Sequence, residues 1–393
     1  MSKPGGTGSK AVAGAKGAAA EGRELHPPPG QPENIRLTVA FAERYGLIAK
    51  LPRSPASGGS IGAFRVFRQL RDASCLFCFR LRLCLPIKKK TTDKGEWNMT
   101  TYPVFMGAAT ALITPMTEEG VDYPAFGRLI DWQIEKGIDA LVIAGTTGEG
   151  STLSDEEHRQ VLRFAAKQIA GRVPMIAGTG SNDTAYAVDL TEYACEVGAD
   201  AMLVVTPYYN KATQKGLIRM FTEIADSSTK PLILYNVPSR TGVNIEPATY
   251  AALADHPMIA GIKEAGSDIS KIVETASLVG DKLDLYSGND DQVVPILSMW
   301  GKGVISVLSN LMPAETSRMC HLYLKGETEA GMRMQCRYLP LIKALFCEVN
   351  PIPVKAAMAA MGYCKNYVRM PLTTMEPEHE AKLLALMKQQ GLV

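Results

Sequence analysis

With 393 residues, 46% of them hydrophobic and 21% charged, the chain is long enough for one large domain or two ordinary ones and has the make-up of a soluble enzyme with a sizeable core. The net charge of +2 conceals an asymmetry: residues 1–98 carry 17 Lys+Arg against 7 Asp+Glu, which leaves 25 against 33 in residues 99–393. The body is therefore mildly acidic and gives a nucleic-acid role no electrostatic support. No apolar stretch is long and uninterrupted enough to span a bilayer, so no membrane role is expected.

Residues 1–60 are dominated by Gly, Ala, Ser and Pro, with Pro27-Pro-Pro29 and Gly58-Gly59 and no sustained periodicity. Residues 61–87 mix Arg with Phe, Leu and Cys, and Lys88-Lys-Lys90 follows. Residues 1–98 are expected to be a basic low-complexity extension that is disordered or not native. A transit peptide of this kind would be long and lacks a clear amphipathic helix, and a basic nucleic-acid arm is the other alternative. Lys94-Gly-Glu96 can be encoded by a purine run that serves as a ribosome-binding signal, and Met99 follows at a plausible spacing. Met99 is thus expected as the natural start. Cys75-Leu-Phe-Cys78 has no second pair and no nearby His, and is not read as a zinc site. Cys195, Cys320, Cys336, Cys347 and Cys364 are expected to be buried, reduced thiols of a cytoplasmic protein.

From Met106 onward, short apolar runs alternate with amphipathic segments. The runs Ala108–Ile113, Ala140–Ala144, Pro174–Ala177, Ala201–Val205, Leu232–Tyr235, Ile259–Lys263, Leu283–Tyr286 and Val304–Val307 predict strands buried on both faces of a parallel sheet. Helices are predicted over Tyr123–Lys136, from Ser154 as N-cap with Glu157 as its capping-box partner, and over Asp183–Val197, Gln214–Ser227, Pro247–Ala254 and Ile269–Val279. Eight strands with intervening helices predict a (β/α)8 TIM barrel. The alternative, a doubly wound open sheet, lacks its G-x-G-x-x-G fingerprint here. Further helices over Pro313–Leu324, Glu329–Glu348, Pro351–Met361 and Glu376–Gln390 predict a C-terminal helical appendage. The expected organisation is an extension over 1–98, a catalytic barrel over 99–320 and a helical region over 321–393.

In a barrel the chemistry gathers at the C-terminal ends of the strands. There this chain places Gly145-Thr-Thr-Gly-Glu-Gly150, Thr206-Pro-Tyr-Tyr-Asn210, Tyr235-Asn-Val-Pro-Ser-Arg240, Lys263 and Ser287-Gly-Asn289, with Ile305 in the eighth strand. A lysine closing a buried strand loses its ammonium to desolvation and becomes a nucleophilic amine. A phenol and a guanidinium at a neighbouring strand end can act as proton shuttle and carboxylate clamp. That combination is what a Schiff-base enzyme acting on a small keto acid needs. Each group also has a bland reading: a tight turn, packing tyrosines, a solvated arginine, a lysine paired with Glu264. Convergence of five such groups on one face favours the functional reading. The five histidines are dispersed, with no H-x-x-x-H or H-E-x-x-H, so a metal hydrolase is not expected, and neither a G-x-S-x-G elbow nor a P-loop is present. Asn289-Asp-Asp291 is expected to cap the helix after the seventh strand rather than to hold a divalent ion.

G-T-T-G-E, T-P-Y-Y-N, Y-N-V-P-S-R-T-G and G-I-K-E-A stand in one order across the body. In that order and at those separations, residues from about 102 to 393 resemble the dihydrodipicolinate synthases, of the pyruvate-dependent class I aldolase family that also includes N-acetylneuraminate lyase. None of residues 1–98 shares the resemblance. It implies that Lys263 forms a Schiff base with pyruvate and that the resulting enamine attacks aspartate 4-semialdehyde, the protonated imine being the electron sink, so that no metal or organic cofactor is required. Tyr235 is implied as general acid/base, with Thr146 and Tyr209 completing a proton relay. Thr147 and the Ile305 main chain would hold pyruvate, Gly288 would keep that pocket open, and Arg240 would clamp the second substrate's carboxylate. Sialic-acid lyases share the Lys, the Tyr and the G-x-T-G-E loop, but are not expected to carry S-R-T-G here.

In the family the second tyrosine of T-P-Y-Y-N completes a neighbouring subunit's site. Tyr208 is the interface candidate, and a homotetramer, a dimer of dimers, is implied. Tyr208, Asn182 and His158 match groups at a lysine-inhibition site of bacterial members. The acidic position that clamps the inhibitor's ammonium corresponds to Tyr186. Losing that carboxylate predicts weak or absent inhibition by lysine.

Overall fold

The apolar runs form eight parallel strands: β1 Gly107–Ala111, β2 Ala140–Ile143, β3 Met175–Gly178, β4 Ala201–Val205, β5 Leu232–Asn236, β6 Ile259–Glu264, β7 Asp284–Ser287 and β8 Gly303–Ser306. They pair in sequence order, and β8 closes on β1 to complete a barrel. This is a computed structural model that describes residues 103–393. The extension expected over 1–98 and the start expected at Met99 lie outside the described residues.

Because strand side chains alternate, each strand feeds two cores. Ala109, Ala111, Ala140, Val142, Ile176, Ala201, Leu203, Ile233, Tyr235 and Ile305 fill the barrel interior. Their neighbours, such as Leu141, Ile143, Met202, Leu232 and Leu234, join a larger layer against the helices. Near-continuous apolar runs are what burial on both faces requires.

The covering helices are α1 Tyr123–Glu135, α2 Asp155–Ile169, α3 Thr184–Glu196, α4 Gln214–Ser227, α5 Pro247–Leu253, α6 Ile269–Val279, α7 Val293–Leu297 and α8 Pro313–Leu324. The capping box of α2 is formed: Ser154 Oγ accepts from the Glu157 N–H and Glu157 Oε2 from the Ser154 N–H. Three helices follow the barrel: α9 Thr328–Leu345, α10 Ile352–Ala360 and α11 Pro377–Gln389. None of the described helices is long and apolar enough to cross a membrane.

Three expectations need correcting or completing. A two-stranded hairpin, Met116–Thr117 with Gly120–Val121, was not foreseen, its strands being too short to show periodicity. The Pro-Ser-Arg-Thr segment is a one-turn helix, Pro238–Thr241, started by a proline and stopped by Gly242 at φ +68°. Cys320 is buried, but Cys336 and Cys347 are exposed and Cys195 and Cys364 half-buried, because Cys336 lies on the outer side of α9 and Cys347 in the turn after it.

Candidate active site

Lys263 and Tyr235 are register partners on β6 and β5. Ile233, Tyr235 and Val237 face the barrel interior while Leu232 and Leu234 face the helices. On β6, Ile262 belongs to the outer layer, so Lys263 turns inward and Glu264 outward. The pleat thus disposes of a Lys263–Glu264 pair. Glu264 accepts instead from Asn236 Nδ2 at 2.9 Å, Tyr250 Oη at 3.3 Å and the Gly266 N–H at 2.6 Å.

Lys263 is 5% exposed and its Nζ lies 4.2 Å from the centre of the Tyr235 ring. Burial lowers its pKa from 10.5 to about 7; the Asp290 carboxylate opposes that fall and the Arg240 guanidinium adds to it. An amine in this setting is substantially neutral at physiological pH, which is the state a carbonyl nucleophile needs. Burial raises the Tyr235 phenol, while the Arg240 charge and a hydrogen bond with Thr146 pull it back.

Thr146 and Thr147 sit in the loop after β2. Ala144 and Glu149, at φ +54° and +55°, turn the chain sharply at either side, and Gly150 packs so closely that a Cβ there would lie 2.2 Å from the Ala144 carbonyl oxygen. Thr147 is buried, and its Oγ1 accepts from Asn350 Nδ2 at 2.9 Å. Ile305 lines the interior from β8, in register with Ala109. At Gly288 a Cβ would fall 2.7 Å from the Ala265 Cβ, so glycine there lets the ends of β6 and β7 meet. Arg240 stands at the rim on its one-turn helix and donates from Nη2 to the Asn350 carbonyl at 3.2 Å, leaving further N–H groups for a ligand carboxylate.

Tyr209 is not part of this cluster. It is 92% exposed, its backbone has φ +70°, and among the described residues no side-chain hydrogen bond or ring contact holds it, so the expected link from Tyr209 to Thr146 is not made by these residues. Tyr208 is half-buried, and its carbonyl accepts from Asn182 Nδ2 at 3.2 Å. His158 is buried with Nε2 3.0 Å from the Gly178 carbonyl, and burial lowers its pKa. Close by, the Tyr186 phenol is pushed up to about 12 by burial and by its hydrogen-bonded neighbour Asp155. Arg159 bridges Asp155, through Nε at 3.0 Å, to Asp189.

Two groups escaped sequence reasoning. Asn350 joins the Thr147 and Arg240 arms from the segment before α10; an Asn-Pro pair between helices carries no local signal of this. Asp290 does not cap the helix that follows it. It is buried, and its Oδ2 accepts from the Val307 and Leu308 N–H groups, both at 2.9 Å, which fixes the backbone just after Ile305. The capping expectation failed because a tertiary partner outcompeted the local one. Among the described residues, no group of three or more His, Cys, Asp or Glu could hold a metal ion.

Comparison with known proteins extends these observations. The model of the dihydrodipicolinate synthetase family matches residues 104–390. A 4-hydroxy-tetrahydrodipicolinate synthase of Thermoanaerobacter sp. (strain X514) is 50% identical over 292 residues, covering 74% of this chain and 98% of its own. The crystal structure of dihydrodipicolinate synthase from Aquifex aeolicus superposes with a TM-score of 0.72 at 44% identity, over 73% of this chain and 99% of that one. That of the chloride-inhibited enzyme from Acinetobacter baumannii complexed with pyruvate gives 0.72 at 40% identity, over 73% and 99%. A buried strand-end lysine inside a closed barrel, and matches that run nearly the whole length of these relatives, lead to one conclusion: the chain belongs to the dihydrodipicolinate synthetase family.

Proposed function

We propose that the chain condenses pyruvate with L-aspartate 4-semialdehyde to give 4-hydroxy-tetrahydrodipicolinate, the first committed step of diaminopimelate and lysine biosynthesis. The observation that carries this is Lys263, buried inside the barrel with its pKa brought to about 7. Its neutral amine attacks the pyruvate C2 carbonyl and water leaves, giving a protonated imine. Loss of a proton from the pyruvate methyl group gives the enamine, whose carbon attacks the aldehyde of the second substrate. The substrate's own amine then displaces Lys263 and closes the ring. The imine is the electron sink throughout, so the chain's own residues suffice for these steps.

Tyr235 is the acid/base for imine formation and for the new alcohol, with Thr146 as its hydrogen-bonded outlet. Thr147 and the Ile305 main chain hold the pyruvate carboxylate, and Gly288 lets the strand ends that wall the pocket approach. Arg240 clamps the carboxylate of the aldehyde substrate. That guanidinium favours aspartate semialdehyde over the polyhydroxylated sugar acid of an N-acetylneuraminate lyase. A coupled assay with each substrate tests the choice: turnover of the sugar acid alone would overturn it. Borohydride in the presence of pyruvate should label Lys263.

The assembly we propose is a homotetramer of tight dimers. It is supported by the Tyr209 side chain, exposed and held by none of the described residues, and by Ile269 and Val273, exposed one helical turn apart on α6. Tyr209, the second tyrosine of Thr206-Pro-Tyr-Tyr-Asn210, then completes the relay of a neighbouring copy, in place of the Tyr208 expected in that role. Tyr208, Asn182 and His158 would line the regulatory cleft, and there Arg159 already occupies the Asp155 and Asp189 carboxylates. An internal cation in that place favours insensitivity to lysine.

A further inference from the structure

The loop that carries Thr146 and Thr147 closes on itself through backbone bonds, Glu149 N–H to the Thr146 carbonyl at 3.1 Å and Gly150 N–H to the Gly145 carbonyl at 3.2 Å. The Glu149 side chain leaves this turn and enters the C-terminal helices. There it forms an ion pair with Lys355 of α10, the two side chains being 1% and 0% exposed. Lys355 Nζ also donates to the Tyr367 carbonyl at 3.0 Å, and the other Glu149 oxygen accepts from the Arg369 N–H at 3.0 Å. Five residues before Lys355, Asn350 Nδ2 donates to Thr147 Oγ1. The chain around the start of α10 therefore grips the loop at two places, its hydroxyl and its carboxylate. Farther out, Arg369 Nη1 donates to the Thr152 carbonyl at 2.8 Å and to Glu157 Oε2 at 2.6 Å, fastening the same segment to the far end of the loop.

A fully buried ion pair is a poor way to gain stability, because the desolvation of both charges offsets most of their attraction; apolar residues of the same volume do as well. What the pair supplies is direction. It fixes a carboxylate belonging to a sharply turned loop against one point of a helix about 200 residues away in sequence. We propose that the Lys355–Glu149 pair is a positioning device through which the C-terminal helical region sets the placement of Thr146 and Thr147, and with it the affinity for pyruvate. The two residues touch no substrate; they act through the loop. The inference rests on the pyruvate reading of that loop.

The test uses the full chain. Removing one partner alone would strand a buried charge and could prevent folding, so the informative variant is the double one, Glu149→Gln with Lys355→Met, which neutralises both together. It should unfold cooperatively like the parent but raise the KM for pyruvate by about tenfold or more, since displacing a positioning group by 1 Å costs up to ~10²-fold. The KM for the aldehyde substrate, which depends on Arg240, should stay within about twofold. Glu149→Asp keeps both charges and retracts the carboxylate by one methylene; it should move the pyruvate KM in the same direction, and it decides the question if the double variant does not fold. A parental pyruvate KM in whichever variant decides, or an equal rise in both KM values, would overturn the proposal. Borohydride labelling of the parent with pyruvate separates the two levels: labelling with unchanged variant KM values sinks only the positioning role, whereas no labelling of the parent sinks the pyruvate reading itself.

Discussion

The neutral amine of Lys263 makes a quantitative claim about pH. With a pKa of about 7, roughly 90% of the amine is neutral at pH 8; at the ordinary value of 10.5 it would be about 0.3%, a difference of ~300-fold in competent nucleophile. The rate of imine formation should therefore rise about tenfold per pH unit below 7 and level off above 8. It can be followed by mixing protein and pyruvate at each pH, quenching aliquots into borohydride at one fixed pH, and weighing the Lys263 peptide. The charges around the amine give the sharper check. Asp290 holds the Lys263 pKa up, so Asp290→Asn, which can still accept the Val307 and Leu308 N–H groups, should move the midpoint to lower pH. Arg240 holds it down, so Arg240→Met should move the midpoint to higher pH. A parental midpoint near 10, or two variants shifting in the same direction, would refute this account of the site.

The same burial implies a cost to the fold. Lowering the pKa from 10.5 to about 7 corresponds to a penalty on the order of 5 kcal/mol for the buried ammonium. The unfolded chain binds this proton more tightly, so the group makes stability rise with pH between about 7 and 10.5, and the full penalty stands below 7. Lys263→Met should abolish borohydride labelling and raise the thermal midpoint at pH 6; a lower midpoint would contradict it. Tyr235→Phe should lower kcat by roughly 10² to 10⁴-fold while the protein unfolds as the parent does, and a loss under tenfold would remove the phenol from acid/base duty. For Arg240→Met the KM of aspartate semialdehyde should increase by about 10²-fold or more, with pyruvate labelling of Lys263 intact; loss of labelling would place Arg240 on the wrong substrate. Steady-state rates with added lysine should show no sub-millimolar inhibition, because Tyr186 offers a phenol and Arg159 already takes the nearby carboxylates.

What the sequence revealed and what it concealed divide along the range of the interactions. Strands are legible because burial on both faces writes a continuous apolar run, and β4 begins and ends where the apolar run Ala201–Val205 does. Lys263 and Tyr235 are legible for a related reason: each interrupts such a run at its end, where a polar group has no local purpose. Sequence alternation also explains why Glu264, though adjacent, serves a different layer and binds Asn236 and Tyr250. Asp290 marks the limit of such reasoning. Beside a helix start an aspartate looks like a cap, yet its carboxylate is taken by backbone N–H groups of Val307 and Leu308, 17 and 18 residues on. Asn350 and Lys355 lie beyond that limit altogether. They reach Thr147 and Glu149 from about 200 residues downstream, and nothing in a helical segment's own pattern says which loop it will hold. Tyr209 is a further step out: it is 92% exposed, and among the described residues none holds its side chain. The groups we propose to react are thus written locally, at strand ends. The groups that place them are not, because placing a loop requires an anchor outside it, and here that anchor is supplied by helices the barrel itself does not need.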